Sequence, residues 1–275
     1  MSTSTNSILV PIDGTEQSVI ALNQSYNLAQ HTDAKIVLLS VEEETSSGFS
    51  VQRKLAELAK EATEKSGQPV ETMIRKGNVY EEISKVADVL NPLVMVGLTT
   101  KLSPGTVIGK NAFKMVRGLK SPVMTIRGKS IKADYKTILL PLDLTKESRE
   151  KVDKAIVLAK RFNATIRVVS VLTSTDLEAE NKLIAYSNQV WRYLRSHQIR
   201  STVRLIRGSN PAKIILEYGR QIDADIIVIT SKSVDNVKEF FTGTVAEQLI
   251  NESEIPVITY HPIERKDTTS FLLPY

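Results

Sequence analysis

The sequence contains no cysteine, which removes disulfides, thiol nucleophiles and zinc–thiolate centres. It has three histidines, His31, His197 and His261, and none falls beside a strand-end carboxylate of the repeat described below. There is no Ser nucleophile elbow, no His-x-x-x-His zinc helix and no complete Gly-x-x-x-x-Gly-Lys-Ser/Thr P-loop. No catalytic or metal-ligating set is therefore expected. No run approaches the ~20 apolar residues of a membrane span, and Met1 to Ser7 is short, polar and uncharged, unlike a signal peptide. A cytoplasmic protein without a membrane partner is the expectation. Blocks of one charge are also missing: 36 basic and 31 acidic residues give a net +5, but they are interspersed. Such mixing reads as a solvated surface rather than a nucleic-acid footprint.

What is present is a repeat. Ile8-Leu9-Val10-Pro11-Ile12-Asp13-Gly14-Thr15 returns 130 positions later as Ile138-Leu139-Leu140-Pro141-Leu142-Asp143-Leu144-Thr145. Each copy is an apolar run that breaks at proline, presents a carboxylate and opens a helix at threonine. A short buried strand feeding a helix in this way is the first step of a parallel α/β sheet, and open α/β sheets take ligands at the carboxyl ends of their strands. The offset persists down the chain. Leu22, Tyr26 and Ala29 recur as Val152, Ile156 and Ala159, one stripe of a helix. Lys35 to Val41 recurs as Thr165 to Val171, a second strand. A helix carries Val51, Leu55, Leu58 and Ala62 in one half and Leu183, Tyr186, Val190 and Leu194 in the other. Third strands near Val70–Ile74 and Thr202–Ile206 run into Lys76-Gly77-Asn78 and Arg207-Gly208-Ser209. Fourth strands, Leu93 to Gly97 and Ile226 to Thr230, lead through a polar loop and a helix to Ser121-Pro122-Val123 and Ile255-Pro256-Val257, by which point the offset is 134. At 275 residues, 41% hydrophobic and 24% charged, the chain has room for two cores. Crossovers through helices imply parallel strands covered on both faces. The boundary is expected between Arg127 and Tyr135, giving domains at 1–130 and 134–262 and a C-terminal tail at 263–275 that ends in Phe271-Leu272-Leu273-Pro274-Tyr275.

These residues resemble the universal stress protein family, once per half. The resemblance rests on Val10-Pro11-Ile12-Asp13-Gly14-Thr15, on Val41 and Val171 closing the second strands, on Gly77 and Gly208 after the third, and on the Ser-Pro-Val and Ile-Pro-Val starts of the last. It implies two tandem, doubly wound, five-stranded parallel-sheet domains of the adenine-nucleotide alpha-hydrolase-like type, related by a pseudo-two-fold. A pseudo-dimer within one chain is implied, with the final strands, edges that seek partners, as the contact between halves and a homodimer of chains as a further level. Family members divide into those that bind ATP and those that do not. Binders resemble one another in a loop after the fourth strand: glycine, two residues, glycine, nine residues, glycine, then serine or threonine. Glycines let backbone N–H groups approach phosphate oxygens, and the following helix presents its positive end.

Neither half keeps that loop whole. The first has Gly97 but Thr100 at the second glycine, and Gly109 arrives one residue early and precedes Lys110. The second keeps the spacing to Gly243-Thr244 but carries Thr230 and Ser233 where the first two glycines belong. Each charge-assisted phosphate bond lost costs roughly 1.5–3 kcal/mol, which moves a micromolar site towards millimolar. The hydroxyls of Thr100, Thr230 and Ser233, and Lys101, Lys110 and Lys114, offer compensation. By resemblance, Pro11, Asp13 and Val41, with Pro141, Asp143 and Val171, face the base and ribose. A purely structural role for each aspartate is to serve the N–H groups that open the next helix. Glu42-Glu43-Glu44 reads as a solvated loop. Arg192, Arg195, His197, Arg200, Arg204 and Arg207 form a basic cluster that reads as a solvated face or as a site for an anionic partner.

Two functional classes are carried forward. One is a stress-response regulator that binds ATP or another adenine nucleotide, with Mg, weakly or in one half. The other is a nucleotide-independent interaction scaffold with protein partners of its own. Slow ATP hydrolysis rests on family analogy alone.

Overall fold

The computed structural model describes residues 7–42, 49–98, 110–128, 134–173, 176–231 and 245–261. The chain divides into two compact units, residues 1–133 and 134–275. Residues 262–275, where the C-terminal tail is expected, lie outside the described residues.

In the first unit five strands, β1 (Ser7–Pro11), β2 (Lys35–Glu42), β3 (Val70–Lys76), β4 (Leu93–Leu98) and β5 (Val123–Arg127), alternate with α1 (Glu16–Thr32), α2 (Phe49–Ser66), α3 (Val79–Leu90) and α4 (Lys110–Gly118). Their order across the sheet is β3-β2-β1-β4-β5, and the pairs β1–β2, β2–β3, β1–β4 and β4–β5 are parallel. Parallel crossovers are right-handed. The chain winds outward from β1 to β3 and then returns past β1 to β4, so α1 and α2 cover one face and α3 and α4 the other. Ile8, Leu9 and Val10 are all buried, as a strand covered on both faces requires. The edge strand β3 is half-exposed and carries Glu71, Arg75 and Lys76, charges that discourage pairing with other chains.

The second unit repeats the plan with β6 (Thr137–Leu142), α5 (Lys146–Phe162), β7 (Thr165–Leu172), α6 (Leu177–Ser196), β8 (Ser201–Arg207), α7 (Pro211–Gln221), β9 (Ile226–Thr230), α8 (Val245–Glu252) and β10 (Val257–Tyr260). The order is β8-β7-β6-β9-β10, with parallel ladders throughout. Val152, Ile156 and Ala159 on α5 and Leu183, Tyr186, Val190 and Leu194 on α6 are buried, as their spacing predicts.

Local chemistry explains where the helices begin. Thr15 and Thr145 are the N-caps of α1 and α5, their hydroxyls accepting from the amides of Ser18 and Ser148 at 3.3 Å. Asn78 caps α3 and Asn210 caps α7, with Pro211 in the first turn. Gly77 has φ +129°, a backbone open to glycine and strained for other residues. One expectation is corrected here. Glu42 is the last residue of β2 and is buried, because the strand runs on beside β3; Glu43 and Glu44 lie outside the described residues.

Candidate functional site

The ladders show where each sheet opens. β1 pairs with β2 over five residues, from Ser7↔Lys35 to Pro11↔Leu39, but with β4 only at Ile8↔Leu93 and Leu9↔Val94. Proline supplies the reason. The amide of Ile12 donates to the Leu39 carbonyl of β2 at 2.8 Å, and successive amides point to opposite sides of a strand. The position of Pro11 therefore faces β4, and proline has no N–H to offer there. The second unit has the same register: Pro141 pairs with Val169, and β6 meets β9 only at Ile138↔Ile226 and Leu139↔Ile227. In each unit a crevice opens beside the central strand at its carboxyl end, where the strand order reverses. Open α/β sheets bind ligands at this point.

Pro11 and Pro141 line the strand ends, and Asp13 and Asp143 follow directly. β2 and β7 run past the ends of their central partners, so Val41 and Val171, both half-buried, stand beyond the last register pairs Pro11↔Leu39 and Leu142↔Ser170. The structure thus groups Pro11, Asp13, Val41 and Gly97 in one unit and Pro141, Asp143, Val171 and Thr230 in the other. Thr100, Gly109, Ser233, Gly243 and Thr244 lie outside the described residues, and Lys110 is described only as the first residue of α4.

Asp13 is exposed, and its Oδ1 accepts from the Thr15 amide at 3.0 Å and from the Thr15 hydroxyl at 2.6 Å. Burial alone would raise its pKa, but the bonds from Thr15 and the hydroxyl of Ser18 outweigh that and hold the carboxyl below its ordinary range. Asp143 accepts from the amide and hydroxyl of Thr145 in the same way, while its own amide donates to the Ser148 hydroxyl at 3.1 Å. Its surface is exposed, yet crowding around the carboxylate is the largest influence on its titration. That influence raises the pKa and is overcome by the charge of Lys151, the Thr145 bonds and Ser148. Both aspartates therefore fix the helix start through its threonine cap, and both are ionised near neutrality.

Lys151 separates the two crevices, and sequence reasoning missed it. It lies on α5 with only 6% of its surface exposed; the same place in the first unit, 130 residues earlier, is Ala21. A lysine occupying a buried position of the repeat was the signal available in the sequence. Gly97 separates them too. A Cβ at Gly97 would sit 1.9 Å from the backbone oxygen and 2.5 Å from the carbonyl carbon of Gln17 in the first turn of α1. The missing side chain is therefore required by packing of α1 on β4. Thr230 takes this place in the second unit, pairing with Tyr260 as Gly97 pairs with Ile126. It carries a Cβ where Gly97 has none.

The described part of these crevices offers hydrogen-bonding groups to a polar ligand. An ionised carboxylate offers a lone pair to a hydroxyl or amino donor, and a strand end supplies unpaired backbone groups beside an apolar side chain. Neither aspartate is hydrogen-bonded to a histidine, and no group of three His, Asp or Glu suited to a metal occurs among the described residues. No helix among them is long and apolar enough to cross a membrane.

Comparison with known proteins bears on both units. The model of the universal stress protein family matches residues 5–127 and again residues 134–261. A putative universal stress protein of Staphylococcus saprophyticus is 27% identical over 137 residues, 45% of this chain and 82% of that protein. A universal stress protein of Methanocaldococcus jannaschii is 28% identical over 138 residues, 45% and 81% of the two chains. Among solved structures, a universal stress protein from Archaeoglobus fulgidus superimposes with a TM-score of 0.77 at 20% identity, over 94% of this chain and 98% of that one.

Proposed function

Because this chain belongs to the universal stress protein family and carries its domain twice, we propose that it is a non-catalytic regulator that binds an adenine nucleotide, and that the first unit holds the working site. The observation that carries this reading is the crevice at the carboxyl end of β1, with the ionised Asp13 at its mouth and the end of β2 running on past β1 beside it. In the second unit Lys151 already supplies a positive charge to Asp143. A carboxylate with its own counter-ion gains less from the neutral donors of a ribose or adenine. Magnesium would arrive with the triphosphate and be held by its oxygens. Signalling through altered surfaces needs no turnover.

Heat extraction of the purified protein, followed by identification of released nucleotide and calorimetric titration with Mg-ATP, tests this. The expected result is one site per chain, weakened about tenfold or more by Asp13→Ala and little by Asp143→Ala. Loss in Asp143→Ala alone would move the site to the second unit. No retained nucleotide and no heat up to millimolar ATP would overturn nucleotide binding altogether. One observation favours the scaffold reading as the alternative: packing against Gln17 accounts for Gly97 without any phosphate. Under that reading the loops serve protein partners.

A further inference from the structure

At the amino-terminal end of the second unit's sheet, remote from Asp143, a pocket of about 490 Å³ opens between the ends of α5 and α6. Ala159, Ala164 and Ile199 are its apolar part; Lys160, His197 and Arg200 are its charged and titratable part. None of the nine lining residues is acidic. The basic cluster noted in the sequence is divided by the fold, and only His197 and Arg200 of that cluster come here. Lys160 joins them from α5.

Two of these groups also serve the helix ends. His197 Nδ1 lies 2.9 Å from the Tyr193 carbonyl oxygen, which fixes Nδ1 as the protonated nitrogen of this contact. Arg200 Nη2 donates to the Asn163 carbonyl at 3.0 Å. These bonds offset the negative ends of the two helices and occupy one nitrogen of each side chain. The remaining nitrogens, His197 Nε2 and Arg200 Nε and Nη1, have no hydrogen-bond partner among the described residues, and neither does Lys160 Nζ.

The first unit is an internal control. Its corresponding corner has the same backbone: Asp33 and Asn163 both close their helices in the left-handed conformation, at φ 50° and 49°, and Gly67 and Gln198 both take positive φ, at 64° and 62°. Ile36 donates to the Pro69 carbonyl as Ile166 donates to that of Arg200, both at 2.9 Å. The register thus aligns Lys160 with Gln30, His197 with Ser66 and Arg200 with Pro69. The corner folds without any of the three basic groups, so the fold does not require them. The second unit also holds Gln198, a residue with a Cβ, in a conformation that its copy leaves to glycine.

We propose that this pocket is a second ligand site, taking the phosphoryl group of a small phosphorylated molecule. A planar guanidinium fork and an ammonium are donors that recognise phosphoryl oxygens; His197, with Nδ1 already donating to Tyr193, adds Nε2 as a donor in its imidazolium form, and the volume lies in the range of small-molecule pockets. The site is independent of the nucleotide crevice and of whether that crevice binds ATP.

With three histidines in the chain, ring NMR of histidine-labelled protein reads this pocket locally. Titration with inorganic pyrophosphate at low salt is expected to shift the His197 ring resonances saturably while leaving those of His31 and His261 in place. Lys160→Gln, which puts the first unit's residue into α5 and touches no cap, is expected to weaken the effect about tenfold, and Arg200→Gln by at least as much. Thermal melts establish that both variants are folded. No saturable shift at His197, or an unchanged affinity in folded Lys160→Gln, would overturn the proposal.

Discussion

Replacing Gly97 by alanine is the sharpest test of the packing described above. The added Cβ would lie 1.9 Å from the oxygen, 2.5 Å from the carbonyl carbon and 3.1 Å from the Cα of Gln17. All three are backbone atoms, so no rotamer change relieves the contact. The first turn of α1 must retreat by about 1 Å, or β4 must bend, and such overpacking costs about 1–3 kcal/mol. For a unit of this size each kcal/mol lowers the melting temperature by about 4 °C, so the first unit should melt about 4–12 °C lower. Circular dichroism on heating reads this directly. Two controls isolate the cause. Gln17→Gly should give no rescue, because the colliding atoms remain. Thr230→Ala, at the matching place in the second unit where a Cβ is already housed, should be close to neutral. Gln17 follows the Thr15 cap by two residues, so the retreat also displaces the turn that holds Asp13, and ATP affinity should fall with stability. A Gly97→Ala protein melting within about 1 °C of the parent would refute the packing account and return this glycine to the phosphate loop.

The remaining predictions concern charge. Lys151→Met keeps the length of the side chain and removes its ammonium; the Asp143 carboxyl, relieved of a stabilising cation, should titrate at higher pH, which carbon NMR of the carboxyl group detects, and an unmoved midpoint would show that Lys151 exerts no field there. Burial pushes His261 down to about 4, from an ordinary value near ~6.5, with its Nδ1 2.9 Å from the Ser231 hydroxyl. The unfolded chain takes up this proton first, so stability is full above about pH 6.5 and is lost progressively as the pH falls towards 4. Urea melts at pH 7 and pH 5 should differ, and the difference should shrink in His261→Asn; an equal difference in both proteins would exclude this histidine as its source.

Much of the fold was legible in the sequence because it is written in local patterns. Apolar runs of strand length, helical stripes such as Leu183, Tyr186, Val190 and Leu194, and the doubled opening through proline, aspartate and threonine state which faces are buried and where helices begin. Asp13 and Asp143 were found because a carboxylate two residues before a threonine cap at a strand end is itself a local pattern. Repetition at an offset of 130 then marked two units. Glu42 was misread for the converse reason: an acidic run reads as solvated, but a strand that outruns its neighbour carries its last residue into the interior.

What the sequence determined by itself, then, is the order of elements, the sheet that this order allows, and the pair of acidic strand ends. Periodicity encodes burial, and burial with handed crossovers leaves few topologies. Only the tertiary structure decided the roles of Gly97, Lys151 and the trio of Lys160, His197 and Arg200. Gly97 meets Gln17 because of how closely α1 lies on β4, Lys151 acts on Asp143 across a turn of α5, and the basic trio comes from two helix ends and a strand start. The Gly97 contact and the basic trio depend on distances between elements far apart in the chain, and the influence of Lys151 depends on where the second turn of α5 holds its ammonium. A residue pattern carries no record of such distances; the packing of the folded chain sets them.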